Sequence, residues 1–528
     1  MRLARRLVVW TRHARRCVRS HRSLFLINGF LFLLLLIAQF DDGQLDDDAD
    51  VNYAPIPADG VDLLDDVDYA LETFQYIRDM QVGRALVQSV VEPKRTVRSF
   101  DCAAWSAWRR PTRAPRVEPD VEWQTLSDTQ LNMQLFIYSA YMDRRNNSLY
   151  PDVNSVQLLV MARRTANQTI FCQFYDDDSL HPAAIVRAHA REIWQRGWDP
   201  RNRFYIPALI TCPIPAQLAS AAPPAFVSLT SKPCNQPANL LPVQGRQPTA
   251  VQDKVVVCVK GMDFLKDVSI ELVEWLELQY LLGADRVVFY TYYVHPQTAK
   301  VLDFYERERK LVQVSLTLPG ESPNQPFIRS NFIWRNRQQK RRNELMPYND
   351  CLYRHIGTHR YVLIADIDEA IVPLKYGDWP TMLDNIRRQY EYADDFTAIS
   401  TINVFKFPNL TTEIDESIPK YMYMLRHRRR SAALSKRGDY GKSFMYSPNV
   451  ATVFNHFALH RLRPRLRNTV YVDPGVALKL HYKDSCPIES RDECPDLLHR
   501  TVDDPSLDRF APNLTQRVTA VLKTLNMI

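Results

Sequence analysis

The chain has 528 residues, of which 46% are hydrophobic and 24% charged, and its formal net charge at pH 7 is +7. This length and composition are typical of a globular protein with two or three domains. The first 22 residues contain eight arginines and no acid, so the charge of +7 leaves −1 for all the other residues. The body therefore lacks the general attraction for polyanions that a nucleic-acid-binding protein has.

The N-terminal region predicts a membrane anchor. After the basic tail, residues 1–22, the uncharged stretch SLFLINGFLFLLLLIAQF (23–40) is just long enough to span a bilayer. Arginines before it and aspartates after it place the N-terminus in the cytoplasm and the rest in the lumen. A cleaved signal peptide is the alternative, but the basic region is long and no small-x-small cleavage site follows. We expect a single-pass type II membrane protein with a stem at 41–97.

The cysteines agree with a luminal location. Eight of the nine follow the predicted anchor, and an even number in an oxidising compartment suggests disulfides. Proximity in sequence suggests the pairs Cys486–Cys494 and Cys212–Cys234, whereas Cys258 and Cys351 lie in apolar surroundings and are alternatively free core residues. Four N-x-S/T sequons also fit a luminal chain: Asn146, Asn167, Asn409 and Asn513.

Residues 98–250 are predicted to form a β-rich accessory module. Short runs such as MQLFIYSAYMD (133–143) are rich in Val, Ile, Phe and Tyr, and Asn, Asp and Pro separate them. An Ala- and Pro-rich segment, 213–250, is predicted to link this module to the next domain. The module is a candidate carbohydrate-binding module, in which Tyr138, Tyr141 and Tyr150 either stack on sugars or belong to the core.

The remaining residues, 251–528, are predicted to form an α/β domain, because strand and helix patterns alternate over about 110 residues. Such alternation favours a parallel sheet covered by helices, whose ligands bind outside the carboxyl ends of the strands. The predicted strands are 254–261, 285–293, 311–319 and 360–368, and the predicted helices are 267–283, 295–310 and 338–357.

The fourth of these strands ends in acids, in the stretch YVLIADIDEAIVP (361–373). Unpaired buried carboxylates are costly, so Asp366 and Asp368 either face solvent as an acidic turn or hold a cation. Carboxylates in this arrangement suit Mn²⁺ or Mg²⁺, which stabilise charge on a diphosphate leaving group. Phosphatases of the haloacid dehalogenase type also end a strand with D-x-D, but on their first strand and with a hydroxyl or branched residue where Ala370 stands.

Four segments resemble glycosyltransferase family 92 in order and spacing, within about residues 130–485. The resemblance implies a GT-A-like, Rossmann-type fold, a divalent metal and, as in some members, inverting β-galactosyl transfer from UDP-galactose. The strongest match is D-I-D-E followed by Pro373. The segments are VVVCVKGMDFLKDVSIELVEWLELQYLLGADRVVFY (255–290), YNDCLYRHIGTHRYVLIADIDEAIVP (348–373), GKSFMYSPNVATVFNHF (441–457) and LKLHYK (478–483).

This resemblance implies a metal centre. Asp366 and Asp368 would hold Mn²⁺ or Mg²⁺ against the donor diphosphate. His481 would be the third ligand, with His456 as the second candidate. Glu369 would act at the centre by binding the metal through water, by orienting Asp368 or by contacting the donor sugar.

The resemblance also implies a donor-binding set. Glu274 is alternatively a solvated helix residue, Asn349 and Asp350 alternatively cap a turn, and Lys442 alternatively belongs to a solvated basic loop, 426–443. Lys442 is hypothesised to neutralise the leaving diphosphate. The set comprises Lys260, Glu274, Asn349, Asp350, Asp366, Lys442 and Ser443.

An inverting transfer further needs a carboxylate that takes the proton of the acceptor hydroxyl. No sequence rule identifies this base. The candidates are Glu413, Asp415 and Glu416 in TTEIDES, and Asp439 in KRGDYGKS.

Topology and resemblance together predict a Golgi-membrane glycosyltransferase that moves a hexose from a UDP-sugar to a glycan acceptor on a glycoprotein or glycolipid. Two alternatives stay open: a luminal glycan-binding protein with an inactive transferase domain, and a transferase for another donor such as UDP-GalNAc or UDP-glucose. Formation of a homodimer is left open.

Overall fold

The computed structural model shows a mixed α/β protein, as the sequence predicts. None of the helices in the described part of the chain is both long and apolar enough to cross a bilayer. The predicted tail, anchor and nearly all of the stem lie outside the described residues, so their prediction stands untested. The structure describes residues 97–102, 122–163, 169–177, 181–194, 203–219, 222–389, 394–408, 416–484, 486 and 494–528.

The N-terminal part forms a nine-stranded sheet around a core of its own. The segment predicted as a linker, 213–250, contributes two of its strands, because Val227 and Leu229 are buried there despite the surrounding prolines. In chain order the elements are β1 (Gln124–Asp128), β2 (Met133–Asp143), β3 (Ser155–Arg163), β4 (Phe171–Tyr175), β5 (Ala184–Arg187), β6 (His189–Glu192), β7 (Tyr205–Pro213), α1 (Ala216–Ala219), β8 (Phe226–Thr230) and β9 (Leu241–Gln244).

A seven-stranded sheet follows, in the order β12-β11-β10-β13-β18-β15-β21. Its first four strands are parallel, as the alternating pattern predicts. The predicted helix 338–357 is two helices that meet at Glu344. Elements up to that sheet's centre are β10 (Gln252–Phe264), α2 (Ser269–Leu282), β11 (Ala284–Val294), α3 (Pro296–Arg307), β12 (Leu311–Ser315), α4 (Pro326–Arg335), α5 (Arg337–Asn343), α6 (Leu345–His355) and β13 (His359–Ala365).

The C-terminal elements complete this sheet and add smaller ones. The most important is a three-stranded sheet, β14-β22-β16. The elements are β14 (Glu369–Pro373), α7 (Trp379–Gln389), β15 (Phe396–Ser400), β16 (Ile402–Lys406), α8 (Tyr423–Arg426), β17 (Arg429–Ser431), β18 (Ser443–Tyr446), β19 (Val450–Val453), β20 (Ala458–Arg461), β21 (Arg467–Tyr471), β22 (Ala477–Tyr482), α9 (Cys494–His499), β23 (Thr501–Asp503) and α10 (Ala511–Thr524), with 3₁₀ turns at Ser447–Asn449 and Pro505–Phe510.

The seven-stranded sheet is buried on both faces, which explains the continuous apolar run of β10. Alternate side chains of a strand point to opposite faces. Val255 and Val257 accordingly belong to the same core as α2, α3 and α7, whereas Val256 and Cys258 belong to a second core with α6. This second core also contains Phe136 and other residues of β2, β3 and β7, so the two large sheets share one apolar interior.

Disulfides account for all eight cysteines of the body. The predicted pair Cys486–Cys494 is confirmed, but the predicted pair Cys212–Cys234 is wrong. Folding brings together cysteines that are distant in sequence, which proximity along the chain cannot reveal. Cys258 and Cys351 are likewise bonded, and they join β10 to α6. The other two bonds are Cys102–Cys234 and Cys172–Cys212.

Candidate active site

The acids of the D-x-D-E stretch lie where the chain leaves the seven-stranded sheet for the three-stranded one. Strand β13 ends at Ala365, and β14 begins at Glu369. The turn between them is tight, because the amide of Glu369 donates to the carbonyl of Asp366 at 3.2 Å. The acids therefore lie at the carboxyl edge of the parallel strands, where ligands of such sheets bind.

Asp368, Glu369 and His481 form a group that could hold a metal ion, since their ligand atoms lie within 4.8 Å of one another. Strand pairing sets Glu369 directly opposite His481. The Nε2 atom of His481 is 3.3 Å from Oδ2 of Asp368 and 3.6 Å from Oε1 of Glu369. Two carboxylates and an imidazole are suitable ligands for a divalent cation.

One atom of this group shows that a cation fits here. The Oδ1 atom of Asp368 is buried, and no donor among the described residues forms a hydrogen bond to it. A buried carboxylate oxygen without a partner is costly, and a bound cation would remove this cost. The residues present therefore fit a metal ion.

Asp366, predicted as the other metal ligand, is not in this group. Its Oδ1 atom forms an ion pair with Lys260 at 3.0 Å, and its Oδ2 atom forms one with Lys442 at 2.9 Å. Burial alone would raise the pKa of Asp366, but the two ammonium charges outweigh it and hold this pKa well below its usual range. Asp366 thus binds two lysines where the sequence predicted a metal.

Glu369 is also surrounded by cations. Its carboxylate contacts Lys479, and Lys442 lies 3.4 Å away. Burial alone would raise the pKa of Glu369, but the charges of Lys442 and Lys479 lower it below its usual value. A carboxylate that holds its proton so weakly is a poor general base, but it stays negatively charged and can therefore help to hold a cation.

Lys479 is a site residue that the sequence analysis missed. It lies two residues before His481 on β22, so both side chains are on the same face of the strand. Its Nζ atom donates to the carbonyl of Tyr440 at 2.9 Å and lies 3.3 Å from Nδ1 of His481. The alternation of LKLHYK was the signal that could have revealed it.

The centre as a whole is positively charged. Four lysines face three carboxylates, because Lys483 lies 3.7 Å from Asp368 in addition to the three lysines already described. Lys260 keeps 21% of its side chain exposed, whereas Lys442 is 99% buried and also donates to Asn455. Lys260 is therefore accessible to an anionic ligand at this edge, and Lys442 serves to hold the acids. The predicted direct contact of Lys442 with a diphosphate does not fit this burial.

Ser443 and His456 support the backbone next to Lys442. The hydroxyl of Ser443 donates to the carbonyl of His456 at 2.6 Å, and Nδ1 of His456 donates to the carbonyl of Gly441 at 2.7 Å. Gly441 is required here, because a Cβ atom would lie 2.5 Å from the carbonyl oxygen of Thr401. The structure thus gives Ser443 and His456 a supporting role, and it does not bring His456 into the metal-binding group.

Asn349 and Asp350, predicted to contact the nucleotide or alternatively to cap a turn, lie in the interior of the protein. Both side chains are fully buried in α6. Asn349 donates to the carbonyl of Val453, and Asp350 accepts from the hydroxyls of Tyr141 and Tyr290, each at 2.7 Å. These side-chain atoms already form hydrogen bonds within the protein. Tyr141 is buried, so it belongs to the core and does not stack on sugars at the surface.

Glu274, predicted as a donor ligand or alternatively as a solvated helix residue, lies in the interior, so the solvated alternative is wrong. Its carboxylate is fully buried and accepts the backbone N–H groups of Met424 and Leu425 at 2.8 and 2.9 Å. It therefore attaches α2 to α8. Burial raises the pKa of Glu274 to about 7, although the two N–H groups oppose this shift.

This burial predicts a pH dependence of stability. The folded chain keeps the proton of Glu274 up to about pH 7, whereas the unfolded chain loses it near 4.5, so the unfolding free energy falls as pH rises through this window. Glu274→Gln lacks this titration. From about pH 5 to pH 8, the unfolding free energy of the variant should therefore rise relative to that of the unmodified chain by up to roughly 3 kcal/mol, as measured by denaturant unfolding.

The matched control is Glu308→Gln, which alters an exposed residue at the C-terminal end of α3. Its unfolding free energy should follow that of the unmodified chain at every pH. A Glu274→Gln difference that stays constant with pH would contradict the prediction.

The candidate bases differ in what the structure says of them. Glu413 and Asp415 lie outside the described residues. Glu416 is exposed, 4.0 Å from Arg426. Asp439 is half-buried and adjoins Tyr440, whose carbonyl accepts from Lys479. Of the two candidates within the described ranges, Asp439 is thus the one that adjoins the centre.

A comparison with protein-family models matches residues 253–512, which include every residue of this centre. The matched segment is a glycosyltransferase domain. This segment belongs to glycosyltransferase family 92, as the sequence motifs indicated. No curated relative matches the chain.

Proposed function

We propose that this protein is a metal-dependent inverting glycosyltransferase with a GT-A-like active site. It transfers a hexose, in our proposal galactose, from a UDP-sugar to a glycan acceptor. The observation that carries this proposal is the unsatisfied Oδ1 atom of Asp368 beside Glu369 and His481, at the edge of a parallel sheet. The predicted type II anchor supports placing this activity in the Golgi lumen.

In this proposal each residue of the centre has one task. Asp368, Glu369 and His481 hold Mn²⁺ or Mg²⁺, which when bound would supply positive charge to the leaving diphosphate. Lys260 binds the donor diphosphate, since it is the more accessible of the two lysines that pair with Asp366. Lys442 and Lys479 orient Asp366 and Glu369.

The acceptor hydroxyl needs a base on the face of the sugar opposite the diphosphate. Asp439 is our candidate among the described residues, because it adjoins the backbone that Lys479 contacts. Glu413 and Asp415 are the candidates outside them.

The experiment that tests the proposed function is UDP release by the full-length chain in detergent. UDP-galactose, UDP-glucose and UDP-GalNAc are compared with and without Mn²⁺, and we expect Mn²⁺-dependent release that is fastest with UDP-galactose. Release with another donor would correct the sugar alone. No release with any donor, together with binding to a glycan array, would instead favour the glycan-binding alternative.

A further inference from the structure

Helix α4 has its charged and apolar residues in unusual places. Its buried side chain is an arginine, Arg329, which is 2% exposed, whereas Phe327 and Ile328 are 76% and 54% exposed. Trp334, near its end, is 41% exposed. A helix that only covers a core shows the opposite distribution, so an exposed apolar group of this kind indicates a surface that binds something.

The arginine attaches this helix to the carboxyl edge of the sheet. Arg329 donates to Oδ1 of Asp263 on β10 at 2.8 Å, and its guanidinium lies 5.4 Å from the ring centre of Tyr292 on β11. Asp263 is only three residues beyond Lys260, which corresponds to about 10 Å of extended strand. Helix α4 therefore lies near the proposed donor site.

The surface also has a chemical character of its own. A cavity of about 470 Å³ lies on it, lined by aromatic rings and by polar groups that include Asn331, Arg335 and Asn336. Residues 322–343 contain six arginines and lysines and no acid, although Glu321 and Glu344 flank them. Arg329 and Arg342 are buried, so four of these cations reach the surface. The guanidinium of Arg337 lies 5.4 Å from the ring centre of Trp334. Rings for the apolar face of a sugar thus occur together with cations for carboxylates.

We propose that this surface, formed by α4 and the start of α5, binds an acceptor glycan that carries carboxylates, such as one with uronic acid residues. The inference rests on the proposed function and names the class of its acceptor. Charge complementarity favours an anionic glycan over a neutral one, and the position of α4 near Lys260 favours an acceptor over a lipid surface or a second copy of the chain.

The test measures binding separately from sugar transfer. The full-length chain in detergent is titrated with a fluorescent oligogalacturonate, and with the same oligosaccharide after its carboxylates have been reduced to alcohols. We expect tighter binding of the anionic form, weakened by salt. Trp334→Ser and Arg335→Gln should each raise its Kd by about tenfold, while UDP release from the donor alone stays unchanged.

The matched controls are Leu131→Ser, on another exposed apolar residue, and Arg388→Gln, on an exposed arginine of α7. Both should leave the Kd unchanged. Because UDP release is measured separately, glycan binding without release would refute the proposed function and not this inference.

Three results would overturn the inference. The first is equal Kd values for the anionic and the reduced oligosaccharide. The second is that the unmodified chain does not bind the oligosaccharide but binds phosphatidylserine vesicles, and that the α4 variants lose this vesicle binding. This result would identify a membrane-binding surface. The third is that the unmodified chain self-associates without binding the oligosaccharide, and that the α4 variants lose this self-association. This result would identify an interface between copies of the chain.

Discussion

Asp368→Asn is expected to lower sugar transfer by about 10³-fold, the largest effect of any single substitution in this protein. The substitution removes a charged ligand beside Glu369 and His481, and the charge that a metal supplies to a leaving group contributes several kcal/mol to catalysis. Folding should be little affected, because one oxygen of this carboxylate has no hydrogen-bond partner among the described residues. The measurement is turnover at saturating donor, with thermal unfolding alongside.

A control separates this loss from a general effect of removing an acid. Asp384→Asn alters an exposed carboxylate on α7 that forms an ion pair with Arg388. Its turnover should equal that of the unmodified chain. A chelator should reproduce the Asp368→Asn loss, and added Mn²⁺ should reverse the chelator effect. Full activity of Asp368→Asn would refute the metal site.

Lys442→Met is expected to have the largest effect on stability, at about 3–5 kcal/mol. Burial would lower the pKa of Lys442, but Asp366 and Glu369 raise it above its usual value, so the buried ammonium stays charged. Removing it leaves these two carboxylates with less compensating charge in a buried place. Denaturant unfolding measures the stability, and turnover should fall because the acids lose their orientation.

A double variant makes this second prediction specific. Adding Asp366→Asn removes one of the uncompensated charges, so the double variant should be more stable than the sum of the two single effects predicts. Lys254→Met is the control, since that lysine forms an exposed ion pair with Asp285 and should cost less than about 1 kcal/mol. Additive effects of Lys442→Met and Asp366→Asn would show that the two side chains do not interact.

The parallel sheet and its acidic edge could be predicted because both depend on local patterns. Apolar runs buried on both faces, such as that of β10, are visible in the sequence, and so is the abrupt change to acids after β13. The pattern located Asp368 and the family resemblance indicated His481, but neither said which atoms approach each other. Strand pairing, which sets Glu369 opposite His481, became known only from the fold.

Other residues could not be predicted because burial depends on distant segments. Helix α2 is buried on almost every side, so its sequence lacks the separate polar and apolar faces of a surface helix. Without these faces, the sequence could not show that Glu274 is buried. Lys479 resembles an exposed strand lysine until the acids opposite it are known. The prolines of 213–250 favoured a linker, whereas β8 and β9 pair with strands that lie far away in the sequence.

The interior that the two large sheets share has a practical consequence for dissecting the protein. Tyr141 of β2 donates to Asp350 of α6, and Phe136 and Leu159 pack in the same core as Val256. A fragment beginning near residue 250 would leave Asp350 short of a donor and would expose apolar side chains to water. Expression trials should therefore keep both halves in one polypeptide.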